Sequence, residues 1–418
     1  MKLAYITSRF PKLTETFVLY EFVAMDRQGV PATLFPLLAT RQKVVHPEVE
    51  SMRDRIRFHP FLSPAILAAG WHYARHRPRA LWGALREVLR GTWGSANFFV
   101  GAIGIFPKAV RIAYEMEAKG VTHVHAHFAN HPTVAALIVH RLTGIPFSFT
   151  AHGHDIHVER RMLLEKIAAA SFAVMISEYN RRLVLEECPG TDARKLHVLH
   201  CGADTDLFAP RPGSRNGKGM SIVCLGSFIE VKGHRYLIEA CRLLRERGVE
   251  VCCHLVGDGP GRRDLIERIA AAGLDRDVVL HGPLPRPDVA RLLSSADVIV
   301  QPSVPTRRGS REGIPVSLME GMACGLPAVA SRISGIPELI DDGQDGFLVP
   351  PGDAAALADV LGQLAGDPEL RSRMGRSARE KVIASFDLSR NAARLATMIR
   401  GASASRNGNP AGARESRC

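Results

Sequence analysis

The sequence predicts two doubly wound α/β domains joined by a linker. Apolar runs typical of strands alternate with helical segments up to about residue 201, and the same alternation restarts at Ser221. Between the two series, residues 204–219 are rich in proline, glycine, arginine and serine, which is typical of a connection. Because strands and helices alternate in each series, we expect each half to form a mostly parallel sheet covered by helices.

The composition is typical of a soluble globular protein that has an anionic partner. The 418 residues are enough for two or three domains with separate cores. Hydrophobic residues make up 46% of the chain and charged residues 23%. The net charge of +12 and the pI near 9.6 favour a nucleotide, a nucleic acid, a phosphorylated lipid or an anionic membrane surface. Charge alone does not select among these partners.

Cysteine usage and the N-terminus predict a reducing, cytoplasmic location. The eight cysteines show neither disulfide nor metal-ligand spacing, and several lie in strand or helix patterns as small apolar residues. The first residues are typical of a strand, and their apolar run is too short for a signal peptide. We also expect no spanning helix, because no apolar run approaches the ~18 residues required.

A polar loop follows the first predicted strand, residues 2–7. This loop covers residues 8–17 and leads into a helix expected over 14–27. Thr14 and Glu15 fit ordinary helix capping, and they equally fit a ligand-facing loop, since ligands of open α/β sheets bind at the carboxyl ends of strands. The G-x-G-x-x-G turn of nicotinamide and flavin sites does not follow this strand.

Residues 63–120 predict two or three helices that combine large aromatic and basic side chains. The residues concerned are Trp71, Trp82, Trp93, Phe98, Phe99, Arg75, Arg77, Arg79, Arg86, Arg90, Lys108 and Arg111. Such a mixture suits a helix lying on an anionic membrane surface. An ordinary helix pair packed on the sheet, with solvated arginines, explains the pattern equally well. Any membrane contact would be peripheral.

Histidines follow two predicted strands of the first half. His123, His125 and His127 alternate along residues 121–128 and therefore share one strand face. Residues 146–152 form the next strand, which ends at His152. Imidazoles are common metal ligands, so a metal-dependent hydrolase is one interpretation. Asp155 is the sole acid in the two stretches, and we therefore expect structural histidines, with His152 reaching a ligand, and no metal.

The second half predicts six strands with ligand-facing turns between them. The strands are expected at 221–225, 251–256, 278–281, 298–301, 327–330 and 346–349. Lys232 lies in the loop over 226–233, and a second turn begins at Gly282. A last helix is predicted over 386–400, followed by a disordered tail, 401–418.

Two carboxylates mark the stretch from 311 to 327. Pro315 and Gly325 predict a helix that starts near Ile314 and stops at Gly325. The open N–H groups at this start favour a phosphate or diphosphate. Glu312 precedes the start, and Glu320 lies about 9 to 12 Å further along at the usual helical rise. This spacing suits a nucleotide diphosphate sugar, whereas an ordinary amphipathic helix with two solvated acids is the simpler interpretation.

The ordered motifs resemble the retaining family 4 glycosyltransferases of the GT-B fold, over about residues 1 to 400. The motifs in the second half are 226–233, 256–260, 302–303, 312–320, 335–339 and 346–353. The first half, with 10–17, 125–128 and 149–152, resembles the branch that contains colanic-acid-type exopolysaccharide enzymes. The resemblance implies two Rossmann-like domains facing a central cleft.

The same resemblance implies domain bounds and site residues. It implies an N-terminal domain over 1–203, joined by the helix 386–400, a linker over 204–219 and a donor-binding domain over 220–385. The implied catalytic residues are Glu312, Lys232 and His152. The implied donor-binding residues are Ser227, Lys232, Gly282, Leu284, Glu312, Gly313, Ile314, Pro315, Val316 and Glu320.

Each of these residues has an implied role. Lys232 would neutralise the donor diphosphate, while Glu312 and the amides that follow it would hold the transferred sugar and phosphate. Glu320 would bind the ribose hydroxyls, the Gly282–Leu284 turn would contact the base, and His152 would approach the sugar.

Two departures from the family pattern affect the diphosphate. Ser227 stands where many relatives have arginine, and residues 8–14 replace an N-terminal Gly-Gly loop. Arg9 and Lys12 are candidate substitutes, and they form an acceptor-side loop with Thr14 and Glu15.

The resemblance implies hexosyl transfer from a UDP- or GDP-sugar, without a cofactor or metal. The implied acceptor is a saccharide or a polyprenyl-diphosphate-linked glycan, at the cytoplasmic face of the membrane, and no nucleic acid is involved. Three alternatives stay open: a catalytically silent nucleotide-sugar-binding subunit, which Ser227 favours, the metal-dependent hydrolase, and a GT-B epimerase. No residue is an obvious covalent nucleophile.

Overall fold

The described part of the chain forms two compact units. The computed structural model describes residues 1–11, 16–40, 47–211, 219–307 and 309–407, except the side chains of 47, 154 and 405–407. The N-terminal unit contains Met1–Ile176, Arg181–Leu199 and the chain from Ala392 onward; the C-terminal unit contains Ser177–Asn180 and His200–Asn391. Each unit holds one parallel six-stranded sheet, which confirms the predicted pair of doubly wound α/β sheets.

The sheet of the N-terminal unit is built from short, buried strands. They are β1 (Leu3–Phe10), β2 (Ala32–Ala39), β3 (His123–His127), β4 (Phe147–Ala151), β5 (Phe172–Met175) and β6 (Leu196–Val198). Their spatial order is β2-β1-β3-β4-β5-β6. Every residue of β3, β4 and β5 is buried, as expected for parallel strands covered on both faces. The order reverses between β1 and β3, so a ligand site is expected at the carboxyl ends of these strands.

Strand β1 is longer than predicted. It continues through Arg9 and Phe10, which pair with Leu38 and Ala39 of β2, so the predicted polar loop begins three residues later. The pairing continues because β2 also extends to Ala39 and offers backbone partners along its whole length. Arg9 is therefore an exposed strand residue rather than a loop residue.

Nine helices follow or connect these strands within the described residues. They are α1 (Thr16–Arg27), α2 (Pro47–Ser51), α3 (Pro64–His76), α4 (Pro78–Thr92), α5 (Ala96–Ala118), α6 (His131–Thr143), α7 (His154–His157), α8 (Leu163–Ala169) and α9 (Glu178–Glu187). The local sequence explains where several of these helices start. Ser63 and Ser95 accept hydrogen bonds from the amides of Ile66 and Phe98, capping α3 and α5.

Helix α5 contradicts the expectation that no apolar segment is long enough to span a membrane. By length and composition it qualifies, with a mean hydropathy of 1.3 over 18 residues. Half of that window is buried, and the helix packs on α3, α4 and α6 within the core of its unit. The Lys108 ammonium, itself buried, donates to the carbonyl of Leu37 in β2. A core helix satisfies the same length and composition test.

The C-terminal unit repeats the plan with a different strand order. Its strands are β7 (Met220–Leu225), β8 (Val251–Val256), β9 (Val278–Gly282), β10 (Val298–Gln301), β11 (Ala328–Ser331) and β12 (Gly346–Val349). Its helices are α10 (His234–Glu246), α11 (Arg262–Ala271), α12 (Arg286–Ser295), α13 (Val316–Ala323), α14 (Ile336–Leu339), α15 (Ala354–Gly366) and α16 (Pro368–Ser385), before α17 (Leu388–Asn407). The spatial order β12-β11-β10-β7-β8-β9 reverses between β10 and β7. The ligand site of this sheet is therefore expected where β7 and β10 end.

Two predicted boundaries differ from the structure. The start of the predicted linker is packed, because Phe208 is fully buried in the C-terminal unit and its carbonyl accepts a hydrogen bond from Arg379 at 3.2 Å. Residues 212–218 lie outside the described part.

The last helix, predicted over 386–400, runs from Leu388 to Asn407 instead. Residues 401–407 of the predicted tail are thus helical, and Arg400 donates to the carbonyl of Gln28 at 2.7 Å within the N-terminal unit. Because apolar contacts of Leu395 and Ile399, both buried, stabilise the helix, its end is not set by its own sequence alone. The rest of the predicted tail lies outside the described residues.

Candidate active site

A glycine-dependent loop leads from β7 to α10. Gly233 has φ +68°, and a Cβ there would lie 1.8 Å from the carbonyl oxygen of Pro302. Glycine is therefore required by both backbone conformation and space. The loop that carries Ser227 and Lys232 is held against the chain leaving β10, at the switch point of the sheet. Ser227 is partly buried in this loop.

Lys232 and Glu312 form an ion pair at this edge of the sheet. The Lys232 Nζ lies 2.8 Å from Glu312 Oε2, and each side chain is 17% exposed. The structure thus brings together two of the three predicted catalytic residues, 80 positions apart in the sequence. Removal of either partner would leave a largely desolvated charge, which is much more costly than loss of a surface ion pair.

Helix α13 begins two residues later than predicted. Pro315 is the residue before its first turn, with φ −66° and ψ 124°, and no side chain caps the helix. Ile314 is kept out of the helix because a residue that precedes proline is disfavoured in helical conformation, and Pro315 itself is extended. Ile314 and Pro315 are buried. Pro315 has no N–H, so the open amides of the first turn belong to Val316 and Ser317 rather than to the whole predicted run from Gly313 to Val316.

Gln301, at the end of β10, connects the two loops and was missed in the sequence. Its buried side-chain amide donates to Ser303 Oγ at 3.2 Å and to the Lys232 carbonyl at 3.5 Å. Its side-chain oxygen accepts from Ser317 Oγ at 3.3 Å. Gln301 therefore orients the Lys232 loop and the first turn of α13 together. A polar residue closing the apolar strand Val298–Gln301 is the sequence signal that could have identified it.

Glu320 lies on the second turn of α13 in an environment that disfavours its charge. Burial raises the pKa of Glu320 from its ordinary value of 4.5 to about 7, while Arg286 lowers it and Asp204 raises it. Arg286 lies 3.5 Å from Asp204 and 5.1 Å from the ring centre of Phe208. The sequence did not indicate Arg286 or Asp204, because contacts over 82 positions leave no local pattern.

The predicted base-contacting turn follows β9. Gly282, with φ +70°, ends the strand, and a Cβ there would meet no atom within 4 Å. Leu284 is partly buried against the core of the C-terminal unit. These two residues lie at the carboxyl edge of the sheet, as predicted.

In the N-terminal unit, His152 follows the end of β4 and belongs to a polar chain. His152 Nε2 lies 3.0 Å from His127 Nδ1, and His127 Nε2 lies 3.1 Å from Glu21 Oε1. The Tyr5 hydroxyl donates to the same Glu21 oxygen at 2.9 Å. Burial, together with His127, lowers the pKa of His152 well below its usual range, so the imidazole is neutral at neutral pH.

The remaining strand histidines contact hydroxyl groups, although Nδ1 of His123 is buried without a hydrogen-bond partner among the described residues. His125 contacts Ser148 Oγ at 2.8 Å and Thr150 Oγ1 at 3.0 Å, and His123 also contacts Ser148. Asp155 is buried and accepts hydrogen bonds from the backbone amides of Ala129, His152 and Gly153, so it shapes the backbone at the end of β4.

The metal-free prediction considered only acids within the two histidine stretches. A carboxylate is present beside the histidines, because α1 brings Glu21 to them, and candidate ligand atoms of Glu21, His125 and His127 lie within 4.8 Å of one another. Both ring nitrogens of His125 and of His127 already lie within hydrogen-bond distance of side chains. This arrangement fits a hydrogen-bond network, and the absence of a metal stays a prediction.

The predicted acceptor-side loop is described only at its first residue. Arg9 is exposed near the end of β1. Lys12, Thr14 and Glu15 lie outside the described residues.

Comparison with known proteins agrees with the fold. Residues 15–207 match the family described as Glycosyltransferase Family 4, and residues 208–381 match the family described as Glycosyl transferases group 1. The structure is similar to that of Anabaena HepE in complex with UDP-glucose, with a TM-score of 0.72 and 17% identity over 96% of this chain and 100% of HepE. At that identity the likeness shows the fold alone.

Two curated relatives cover nearly the whole chain. WcaL of Escherichia coli K12, a glycosyltransferase assigned to colanic acid biosynthesis, is 30% identical over 93% of this chain and 96% of its own length. The amylovoran biosynthesis glycosyltransferase AmsK of Erwinia amylovora is 30% identical, with the same two coverages. Fold and family matches together define a GT-B glycosyltransferase. Within this class the chain belongs to the family 4 glycosyltransferases, in the group that contains WcaL and AmsK, as its motifs indicated.

Proposed function

We propose that this glycosyltransferase transfers a hexosyl group, with retention of configuration, from a UDP- or GDP-sugar to a saccharide or polyprenyl-diphosphate-linked acceptor in exopolysaccharide synthesis. The ion pair between Lys232 and Glu312, beside the uncapped first turn of α13, carries the proposal. A cation and open amides suit a diphosphate. The names of WcaL and AmsK support the pathway, and the UDP-glucose bound to HepE supports the donor class.

The proposed chemistry depends on fixed charge rather than on a covalent intermediate. When the bond between the sugar and the diphosphate breaks, both electrons leave with the diphosphate oxygen. Lys232 and the amides of Val316 and Ser317 stabilise the negative charge that develops there. The acceptor oxygen then forms its bond to the anomeric carbon on the face that the diphosphate leaves, and its proton passes to the departing phosphate, which retains configuration.

The two acids bind different parts of the donor. Glu312, held by Lys232, accepts hydrogen bonds from hydroxyls of the transferred sugar. Glu320, one helical turn further from the diphosphate, binds the ribose hydroxyls, and the turn from Gly282 to Leu284 contacts the base. Ser227 adds a hydroxyl donor where an arginine would add a charge, so Lys232 supplies the principal cation of this loop.

Transfer of a labelled sugar tests the proposal directly. The full chain is incubated with radiolabelled UDP- and GDP-sugars and an extract of lipid-linked oligosaccharides, and thermal shift identifies the donor that binds. We expect labelled lipid-linked product, unchanged by chelation. Donor binding without product would indicate a silent binding subunit, and activity lost on chelation and restored by a metal would indicate the hydrolase class.

We also propose that the N-terminal unit binds an anionic bilayer at the cytoplasmic face through α3 and α4. Trp71 and Trp82 are 72% and 61% exposed. Arg79, Arg86 and Arg90 follow the spacing that places them on the Trp82 side of α4. None of these three arginines pairs with a carboxylate among the described residues. Exposed aromatic rings flanked by unneutralised guanidinium groups suit an anionic lipid surface.

Sedimentation with vesicles tests this contact. We expect the full chain to bind phosphatidylglycerol-containing vesicles and not pure phosphatidylcholine. The double variant Trp82→Ala/Arg86→Glu should lower the partition coefficient about tenfold or more, since each basic residue near such a surface contributes about 1 kcal/mol. Arg263→Glu, which changes an exposed arginine of α11, is the control. Equal binding of all three proteins would refute the contact.

A further inference from the structure

The first turn of α9 is held by a carboxylate from a distant part of the chain. Ser177–Asn180, which include this turn, belong to the C-terminal unit. Glu338 in α14 accepts hydrogen bonds from the backbone amides of Glu178 and Tyr179, both at 2.8 Å. The first amides of a helix have no partner within that helix, so Glu338 acts as their cap across 160 positions of the sequence.

The capping carboxylate is ionised at neutral pH. Burial raises the pKa of Glu338, but hydrogen bonds from His200 and from the amides of Tyr179 and Glu178 lower it by more, so that the pKa lies below its ordinary value of 4.5. His200 Nε2 lies 3.3 Å from Glu338 Oε2. Hydrogen bonds to an ionised acceptor are stronger than those between neutral groups, so this cap holds the turn firmly.

A glycine lets the same turn pack beside the segment that precedes α13. Gly335 lies just before α14 with φ −85°, a conformation that any residue adopts. A Cβ at this position would lie 2.8 Å from Cγ1 of Ile314 and 2.9 Å from Cβ of Ser177. Ile314 and Ser177 are both buried. Space rather than backbone conformation therefore requires glycine here, because Gly335 lies against the turn and against Ile314 at once.

The turn also contacts this segment on the other side of Glu312. The guanidinium of Arg311 donates to the Tyr179 hydroxyl at 3.0 Å. Residues 309–315 form neither helix nor strand, so the position of Glu312 depends on contacts with other parts of the chain. Its ion pair with Lys232 is one such contact. The contacts of Arg311 and Ile314, which flank Glu312, are the others that the turn and Gly335 provide.

We propose that Glu338 and Gly335 are positioning residues that hold the turn 177–180 against the segment 311–315, and thereby hold Glu312 in place for the donor. The donor part of this inference rests on the proposed function, whereas the support of the segment does not. Neither residue contacts the reacting atoms; both act through the turn. The motif over 335–339 thereby gains a role that the family resemblance did not imply.

Methyl NMR of the full chain, labelled at the isoleucine δ1 carbons, tests the support without any substrate. The Ile314 signal is identified by its loss in Ile314→Val. In Glu338→Gln the side chain keeps its size but loses its charge and one acceptor oxygen. We expect this change to loosen the turn and to lower the order parameter of the Ile314 methyl axis. Asp367→Asn is the matched control, because Asp367 caps α16 in the same unit by accepting from the Leu370 amide at 2.8 Å.

Kinetics with the identified donor provide the second readout. We expect Glu338→Gln and Gly335→Ala to raise the donor KM about tenfold, with a smaller change in kcat, since a displacement of 1 Å can cost about 100-fold. Gly366→Ala is the control for the added methyl group, because a Cβ there would meet no atom within 4 Å. A purely structural role would instead reduce the amount of active protein, which lowers kcat and leaves KM unchanged.

The outcomes separate this inference from the proposed function. An Ile314 methyl that is as ordered in folded Glu338→Gln as in wild type would overturn the support of the segment. An unchanged donor KM in Gly335→Ala would overturn the positioning of Glu312, and this variant decides the matter if Glu338→Gln does not fold. A mobile Ile314 methyl in Glu338→Gln, when the wild-type protein transfers no sugar, would uphold the support and reject the proposed function.

Discussion

The two units share a sheet topology but place different chemical groups at the point where the strand order reverses. Each has a doubly wound parallel sheet whose strand order reverses once, at β1 and β3 in one unit and at β7 and β10 in the other. At the C-terminal switch point the structure places opposite charges, Lys232 and Glu312, at 2.8 Å. At the N-terminal one it places the imidazoles of His127 and His152, linked to the carboxylate of Glu21.

The difference separates the contribution of the fold, which is the position of the site, from that of the side chains, which is its chemistry. The carboxyl ends of strands provide position in both units. A charged pair suits a ligand whose charge grows during reaction, because preorganised charge stabilises such a transition state. An oriented neutral imidazole suits a hydroxyl, for which direction matters more than charge. Charge-removing changes should therefore act most strongly in the C-terminal unit.

The largest expected effect is that of Lys232→Ala. Loss of the ammonium removes the principal cation for the leaving diphosphate and leaves Glu312 unpaired, so kcat should fall about 10²- to 10³-fold. The measurement is initial-rate kinetics with the identified donor. Arg247→Ala, which breaks an exposed ion pair with Asp359 at 2.7 Å in the same unit, should retain at least half of the activity.

The turnover of two further variants compares the contributions of the two units. Glu320→Ala should lose less turnover than Lys232→Ala, because it affects donor binding rather than the leaving group. Glu21→Leu should also lose less. Equal activity of Lys232→Ala and wild type would reject the assignment, and a greater loss in Glu21→Leu would reverse the proposed division between charge and orientation.

A smaller effect concerns pH and stability through Glu320. Its pKa is raised to about 7 in the folded chain from 4.5, so folding takes up a proton between these values. The contribution of Glu320 to the free energy of unfolding is therefore complete below pH 4.5 and is lost as pH rises to about 7. The full difference is at most about 3 to 4 kcal/mol, given about 1.4 kcal/mol for each tenfold change in acid dissociation.

Glu320→Gln isolates this contribution. Urea unfolding of both proteins at pH 5 and pH 8 should show the variant gaining about 1 to 3 kcal/mol relative to wild type at the higher pH. A difference between the two proteins that is the same at both pH values would show that Glu320 ionises normally in the folded chain.

Much of the fold could be predicted from the sequence because its signals are local. Apolar runs such as Val298–Gln301 and punctuating glycines such as Gly233 act within a few residues. Boundaries that depend on partners were less accurate. β1 extends because β2 offers pairing up to Ala39, and α17 passes residue 400 because its apolar side is buried.

The residues of the two candidate sites show the same distinction between local signals and distant partners. Lys232 and Glu312 were identified because family motifs contain them, whereas Gln301 and Glu21 were missed. Gln301 acts through loops that are distant in sequence, and Glu21 reaches His127 across 106 positions. Hydrogen bonds of this kind depend on the sheet order, which no single segment encodes. Position 314 illustrates a local rule misapplied, since Pro315 disfavours a helical Ile314, and α13 starts only at Val316 because Pro315 is itself extended.

Sugar transfer by the charge-swapped double variant Lys232→Glu/Glu312→Lys tests the central claim most directly. The exchange keeps the two opposite charges paired but moves the cation from the β7 loop to the segment before α13. We predict a thermal midpoint nearer to wild type than that of either single variant, with transfer still at least 100-fold below wild type. Wild-type transfer by the swapped pair would contradict the account, because the pair would then serve stability rather than the leaving diphosphate.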